Sequence, residues 1–152
     1  MSVNRRDDSE PLVLMVDDDP LSCHLVTIVL AGREFDTHCV GDAEGALRCI
    51  ARKKPALLLV DLRLPGMNGL ELVRLLRADP ATRDLVIVAM TAWATLETRE
   101  HAASAGFDGF LTKPIATRAL PYIVEELLKG NLGVLPETMP GAAGVFAGRR
   151  VG

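Results

Sequence analysis

A doubly wound α/β fold, with one parallel sheet and helices on both faces, is the architecture the sequence predicts, on three observations. Five short apolar or mixed runs alternate with five segments of helical spacing, the pattern of a sheet built from crossover units. The first, third and fourth runs are almost continuously apolar, as strands covered on both faces are. Several runs are followed by a chemically useful side chain: Asp17 and Asp18, Asp61, Thr91 and Lys113. In an open parallel sheet, ligands bind outside the carboxyl ends of the strands, so those side chains should meet in one crevice.

The predicted strands are Leu12 to Val16, Phe35 to Cys39, Ala56 to Val60, Leu85 to Ala89 and Phe107 to Leu111. The second is more polar and suits a sheet edge. Asp19-Pro20 supplies an N-cap and a first-turn proline for the first helix. Leu21, Leu25, Ile28 and Val29 then recur every three or four residues, and Gly32 offers a stop. A second helix is expected from Asp42 through Ala46, Leu47 and Ile50. A third runs from Gly69 with Leu72, Leu75 and Leu76 facing inward, and Pro80 marks its end. The fourth, Thr95 to Ala105, has only Leu96 as a large apolar anchor and should be loosely held. The fifth starts after Pro114 and carries Leu120, Ile123, Val124, Leu127 and Leu128, with Pro121 in its first turns. Asp61 is expected on a short loop just after the third run.

At 152 residues the chain suits one domain with a substantial core. Residues 1–10 read as a flexible leader and 11–130 as the folded unit. Residues 131–152, rich in Gly, Pro and Ala without sustained period, read as a disordered tail. No apolar run approaches the ~20 residues that cross a bilayer, and the N-terminus has no apolar signal core. A net charge of −3 and a pI near 5.6, with no basic stripe, argue against a nucleic-acid surface. Cys23, Cys39 and Cys49 form no C-x-x-C pair and are expected to be plain buried thiols in a cytoplasmic protein. His24, His38 and His101 show no metal-ligand spacing and receive no role.

The segments LVLMVDDDP, LLLVDLRLPGMNG, VAMTA and FLTKP, in that order, resemble the receiver domain of bacterial two-component response regulators, the CheY-like superfamily. The resemblance covers about residues 11 to 130, and Asp61, Thr91 and Lys113 stand 30 and then 22 residues apart. It implies a flavodoxin-like five-stranded sheet of order 2-1-3-4-5, with Asp61 as phosphoacceptor. It also implies Mg²⁺ held by Asp17, Asp18, Asp61 and the backbone carbonyl of Arg63, with Thr91 and Lys113 on the phosphoryl oxygens. By the same resemblance the Lys113-Pro114 bond is cis. Phe110 takes the aromatic switch position, its ring turning inward as the Thr91 hydroxyl is drawn toward the phosphoryl group. The output surface is then the face of helix four, strand five and helix five.

The chemistry has its own physical case. A carboxylate at a strand's end can attack the phosphorus of a phosphohistidine and become an acyl phosphate. Bringing further carboxylates within about 4 Å costs ~4 kcal/mol per pair at an effective dielectric near 20, which a hard divalent cation relieves. A hydroxyl and a compact ammonium suit phosphoryl oxygens, and phosphoryl transfer needs mainly such positioning. The bland alternative for Asp61, a turn residue capping amides, leaves its three distant partners unexplained.

The resulting expectation is a phosphoacceptor signalling protein, not an enzyme beyond slow self-dephosphorylation. It would take its phosphoryl group from a sensor histidine kinase or histidine phosphotransfer protein. Because the 23 residues after Lys129 lack a helix-turn-helix pattern, a stand-alone receiver is expected. It would relay the phosphoryl group or switch binding to a downstream protein, as a monomer or a phosphorylation-dependent dimer, with no nucleic-acid or membrane partner. Arg63 and Trp93 border the path of the hydrolytic water in the family and are expected to shield the acyl phosphate, the alternative being that Trp93 packs on the surface or contacts a partner. Two readings compete. A scaffold working without phosphorylation is one. The other, an aspartyl-phosphate hydrolase of the haloacid dehalogenase type, expects an Asp where Arg63 stands.

Overall fold

The computed structural model describes residues 10–92 and 95–131 and the backbone of 143–145. The chain alternates β1 (Leu12–Val16), α1 (Pro20–Leu30), β2 (Asp36–Val40), α2 (Ala43–Arg52), β3 (Leu57–Asp61), α3 (Gly69–Ala78), β4 (Ile87–Thr91), α4 (Leu96–Ala105), β5 (Gly109–Thr112) and α5 (Leu120–Leu128). The parallel strands lie in the order β2-β1-β3-β4-β5, the flavodoxin-like arrangement expected. A sixth strand, β6 (Ala143–Val145), pairs antiparallel with β5, within a segment from which the sequence led us to expect no regular structure.

Sequence patterning explains the layers. β1, β3 and β4 are buried along their whole length, whereas β2 is half-buried throughout. One apolar cluster joins Leu14, Leu58, Val60 and Ala89 of the sheet to α2, α3 and α4. The other joins Val13, Met15, Leu59 and Met90 to α1 and α5. Each fully buried leucine or valine contributes roughly 1.5–3 kcal/mol.

Helix ends follow local chemistry. The Asp19 carboxylate accepts from the Leu21 amide, Asp42 from the Gly45 amide, and Asn68 forms a reciprocal capping box with Glu71. α4 ends on Gly106, whose φ of 113° places it in the left-handed region. Arg77 fastens that turn. Its Nε donates to the Gly106 carbonyl at 2.9 Å, its Nη1 to the Arg83 and Leu85 carbonyls at 2.7 and 2.6 Å, and its Nη2 to Asp108 Oδ2 at 3.0 Å. Asp108 is fully buried, and its Oδ2 also accepts from the Ile87 amide at 2.8 Å.

Four expectations are corrected. Leu21, Leu25 and Ile28 face solvent at 78, 44 and 58% exposure, and Val26 and Leu30 are the buried residues of α1. Leu75 is likewise exposed, with Val73 buried in its place. Leu96 does not anchor α4, which is held by the small residues Ala102 and Ala105. Cys23 and Cys39 are not plain thiols: their sulfurs are bonded across α1 and β2, with Cα atoms 5.9 Å apart, and Cys49 alone stays free. No helix among the described residues is long and apolar enough to cross a membrane.

Candidate functional site

The carboxyl ends of β1, β3, β4 and β5 bring five predicted residues together. Asp17 follows β1, where its amide bonds the Val40 carbonyl at 2.9 Å, and its carboxylate is buried. Asp18, next in the chain, is exposed. Asp61 is the last residue of β3 rather than a loop residue: it stands in register with Met90, and the following Leu62 amide still donates to the Met90 carbonyl. Backbone pairing needs no apolar side chain, so the ladder outruns the apolar run that marked it. Thr91, buried at the end of β4, accepts through its carbonyl from the Lys113 amide at 2.8 Å.

Lys113 ties the crevice together. Its Nζ donates to Asp17 Oδ2 at 2.6 Å and to Asp61 Oδ2 at 2.8 Å. The remaining oxygens are aimed by backbone amides: Asp19 donates to Asp17 Oδ1 and Arg63 to Asp61 Oδ1, both at 2.9 Å. The Lys113-Pro114 peptide is cis, as the resemblance implied. Carboxylate oxygens of Asp17, Asp18 and Asp61 all lie within 4.8 Å of one another. Three carboxylates against one ammonium form an all-oxygen donor set with surplus negative charge, which fits a hard divalent ion such as Mg²⁺.

Electrostatics agree. Burial pushes the Asp17 carboxyl above its ordinary range, against the lowering effect of its bonds from Lys113 and Asp19, and nearby Asp61 raises it further. Burial alone would lower the Lys113 pKa, but hydrogen bonds to Asp17 and Asp61 outweigh it and hold the ammonium above its ordinary value. The lysine therefore stays charged.

Phe110 lies on β5 with its ring buried against α4, and the Arg99 guanidinium sits 5.5 Å from the ring centroid. Arg63 is exposed beside Asp61, while Trp93 lies outside the described residues.

Two features of the site escaped the sequence reading. Gly69 opens α3 so close to β3 that a Cβ there would lie 2.6 Å from the Asp61 carbonyl oxygen. Its signal was the Asn68-Gly69 pair, legible only as a turn. The second is an apolar groove of about 370 Å³ beside Lys113, lined by Leu21, Leu25, Val26, Ala92, Pro114 and Ile115. Its signal was the surplus of apolar positions on α1, more than one buried face can use.

Comparison with known proteins places these features. The family description "response regulator receiver domain" matches residues 13–125. The DNA-binding response regulator MtrA of Mycolicibacterium smegmatis is 39% identical over 119 residues, 78% of this chain and 51% of that protein. The chain thus spans about half the length of the curated relatives it matches first. A 14.6 kDa protein of Leptolyngbya boryana is 34% identical over 75% of this chain and 87% of its own. Among solved structures, a CheY-like receiver domain protein of Methanospirillum hungatei has a TM-score of 0.72 at 26% identity, covering 81% of this chain and 97% of that one. The receiver domain of a Pseudomonas aeruginosa sensor histidine kinase, solved with a magnesium ion coordinated in its active site cleft, has a TM-score of 0.71 at 28% identity, covering 80% and 99%.

Proposed function

The chain belongs to the response regulator receiver family, and from that premise we propose that Asp61 accepts a phosphoryl group from a histidine kinase or histidine phosphotransfer protein. The observation that carries this reading is the Lys113 ammonium shared between Asp17 and Asp61, with Asp18 within ligand distance of both. A structural turn aspartate would have no need of such a cluster.

In this mechanism the Asp61 carboxylate attacks phosphorus, the P–O bond forms, the P–N bond to the donor imidazole breaks, and the imidazole leaves and takes up a proton. The Arg63 amide orients the attacking carboxylate. Lys113, already charged and in reach, moves its hydrogen bond from Asp61 to a phosphoryl oxygen, and the Thr91 hydroxyl donates to another. Asp17, Asp18, Asp61 and the Arg63 carbonyl would hold Mg²⁺, which when bound neutralises charge on the transferring group. Thr91 and Phe110 carry the switch. Because the ring is already inward under Arg99, the change on this reading is a firmer hold on Thr91 and α4 rather than inward rotation of the ring.

The phosphodonor protein docks on the exposed apolar stripe Leu21, Leu25 and Ile28, of which Leu21 and Leu25 line the groove beside Lys113. The output is protein contact by the receiver unit, and the DNA binding of the mycobacterial relatives is a property of those longer proteins. Incubation with Mg²⁺ and acetyl phosphate should add the mass of one phosphoryl group to wild type and none to Asp61→Asn. Failure of wild type to label with this donor and with a phosphohistidine donor would leave only a phosphorylation-independent scaffold.

A further inference from the structure

The two edges of the sheet are guarded differently. β2 carries Asp36, Thr37 and His38, polar side chains that discourage a stray strand from adding to it. β5 reads Gly109-Phe110-Leu111-Thr112, with no charge, and its first three residues are buried. An uncharged edge strand presents a row of backbone donors and acceptors that accept an added strand readily. In this chain that row is taken: Gly109 pairs with Val145, Phe110 with Gly144 and Leu111 with Ala143. The eleven residues 132–142 link α5 to β6, and a chain of that length reaches at most about 40 Å, enough to return along a strand of four residues.

We propose that the outer edge of β5 is a strand-accepting docking surface whose resident occupant is this chain's own segment Ala143–Val145, so that any partner using this edge must displace that segment first. The significance rests on the reading of this face as the output surface, but the occupancy does not depend on phosphorylation. The resident segment has an advantage no partner shares, because a short linker gives it an effective concentration on the order of millimolar. It also sits opposite Phe110, the residue whose ring packs under α4, so occupancy of the edge and packing of α4 bear on the same strand.

Hydrogen exchange on the full chain tests the occupancy. Successive amides of a strand face opposite sides, so either Gly144 or Val145 donates toward β5, and the double variant Gly144→Pro/Val145→Pro removes a ladder donor in either case. The outward amides of residues 109–112 should exchange at least about tenfold faster in the variant than in wild type. Equal rates overturn the proposal.

A labelled peptide of residues 141–150 provides the second arm. A chain ended after Asn131 keeps residues 13–125, which the receiver family description matches, together with every element from β1 to α5, and its cooperative unfolding in urea is verified before use. It should bind the peptide at least about tenfold more tightly than the full chain does. Equal affinity, or no binding to either, overturns the proposal. Edge protection that rises with protein concentration alongside a dimer in sedimentation would overturn the intramolecular form, since the strand would then come from a second copy. All these readouts are taken without phosphodonor, so their failure is distinct from failure of Asp61 to label.

Discussion

Gly69 shows how a residue without a side chain constrains the chemistry. In an exposed helix, Gly→Ala commonly stabilises, because glycine costs roughly 0.5–1 kcal/mol in a helix interior. Here an added Cβ would meet the Asp61 carbonyl oxygen at 2.6 Å, the Leu62 Cα at 3.1 Å and Val60 Cγ1 at 3.1 Å, two of them backbone atoms. Gly69→Ala should therefore destabilise by about 1–3 kcal/mol, the ordinary cost of overpacking. It should also slow acetyl phosphate labelling, because Asp61 is displaced with its carbonyl. Urea midpoint and labelling rate both at wild-type values would refute this. Asp19 offers a pH test at the same scale. Hydrogen bonds from the Ser22 hydroxyl and the Leu21 amide hold its carboxyl below the ordinary 3.8. A depressed folded value means the capping contribution is full above the unfolded value and is lost as pH falls through the folded one. The stability gap between wild type and Asp19→Asn should then close below about pH 3.8, and a gap identical at pH 6 and pH 3 would count against it.

Among the elements, α1 does the most beyond its own packing. It buries Val26 and Leu30 and turns Leu21, Leu25 and Ile28 outward, two stripes on one helix. Replacing Leu21 with Ser should leave stability within about 0.5 kcal/mol, since it is largely solvated. Transfer from a phosphohistidine protein should fall about tenfold or more through lost apolar contact, while labelling by acetyl phosphate, which needs no docking, stays unchanged. A parallel loss with both donors would place the fault in the site instead. The same helix shows what a sequence can and cannot disclose. Its N-cap, its proline and its stop at Gly32 were legible because each acts through local backbone chemistry. Which apolar stripe is buried was not, because that depends on where β2 and α5 lie, and periodicity alone does not distinguish two apolar stripes. Leu75 and Leu96 misled for the same reason. The first strand was placed at its observed bounds, whereas the ends of the other four were displaced by one or two residues, so Asp61 lies within the ladder and not after it. The Cys23–Cys39 bond was invisible at a separation of 16 residues, since it arises from the packing of α1 on β2. The five site residues were legible because strand-end positions in a parallel sheet converge whatever the details of packing.

At the scale of the molecule, α1 and α5 cover one face of the sheet and α2, α3 and α4 the other. The site lies between these layers, where Lys113, just past β5, meets Asp17 after β1 and Asp61 at the end of β3. A pull-down with the beryllofluoride-loaded protein should capture either a histidine-bearing phosphotransfer protein or another target that the unloaded protein releases. Identical captures in both states would refute a phosphorylation-controlled output. On its face of the sheet α4 is fastened unevenly. At its C-terminal end the Gly106 carbonyl is held by Arg77 and the following Phe107 and Asp108 are fully buried; at its N-terminal end Leu96 is 65% exposed. The helix is thus held firmly at Gly106 and loosely at Leu96. Arg77→Ala should therefore free α4 at its better-held end, seen as faster amide exchange around residues 105–108, although neither Arg77 nor Asp108 belongs to the carboxylate cluster around Asp61.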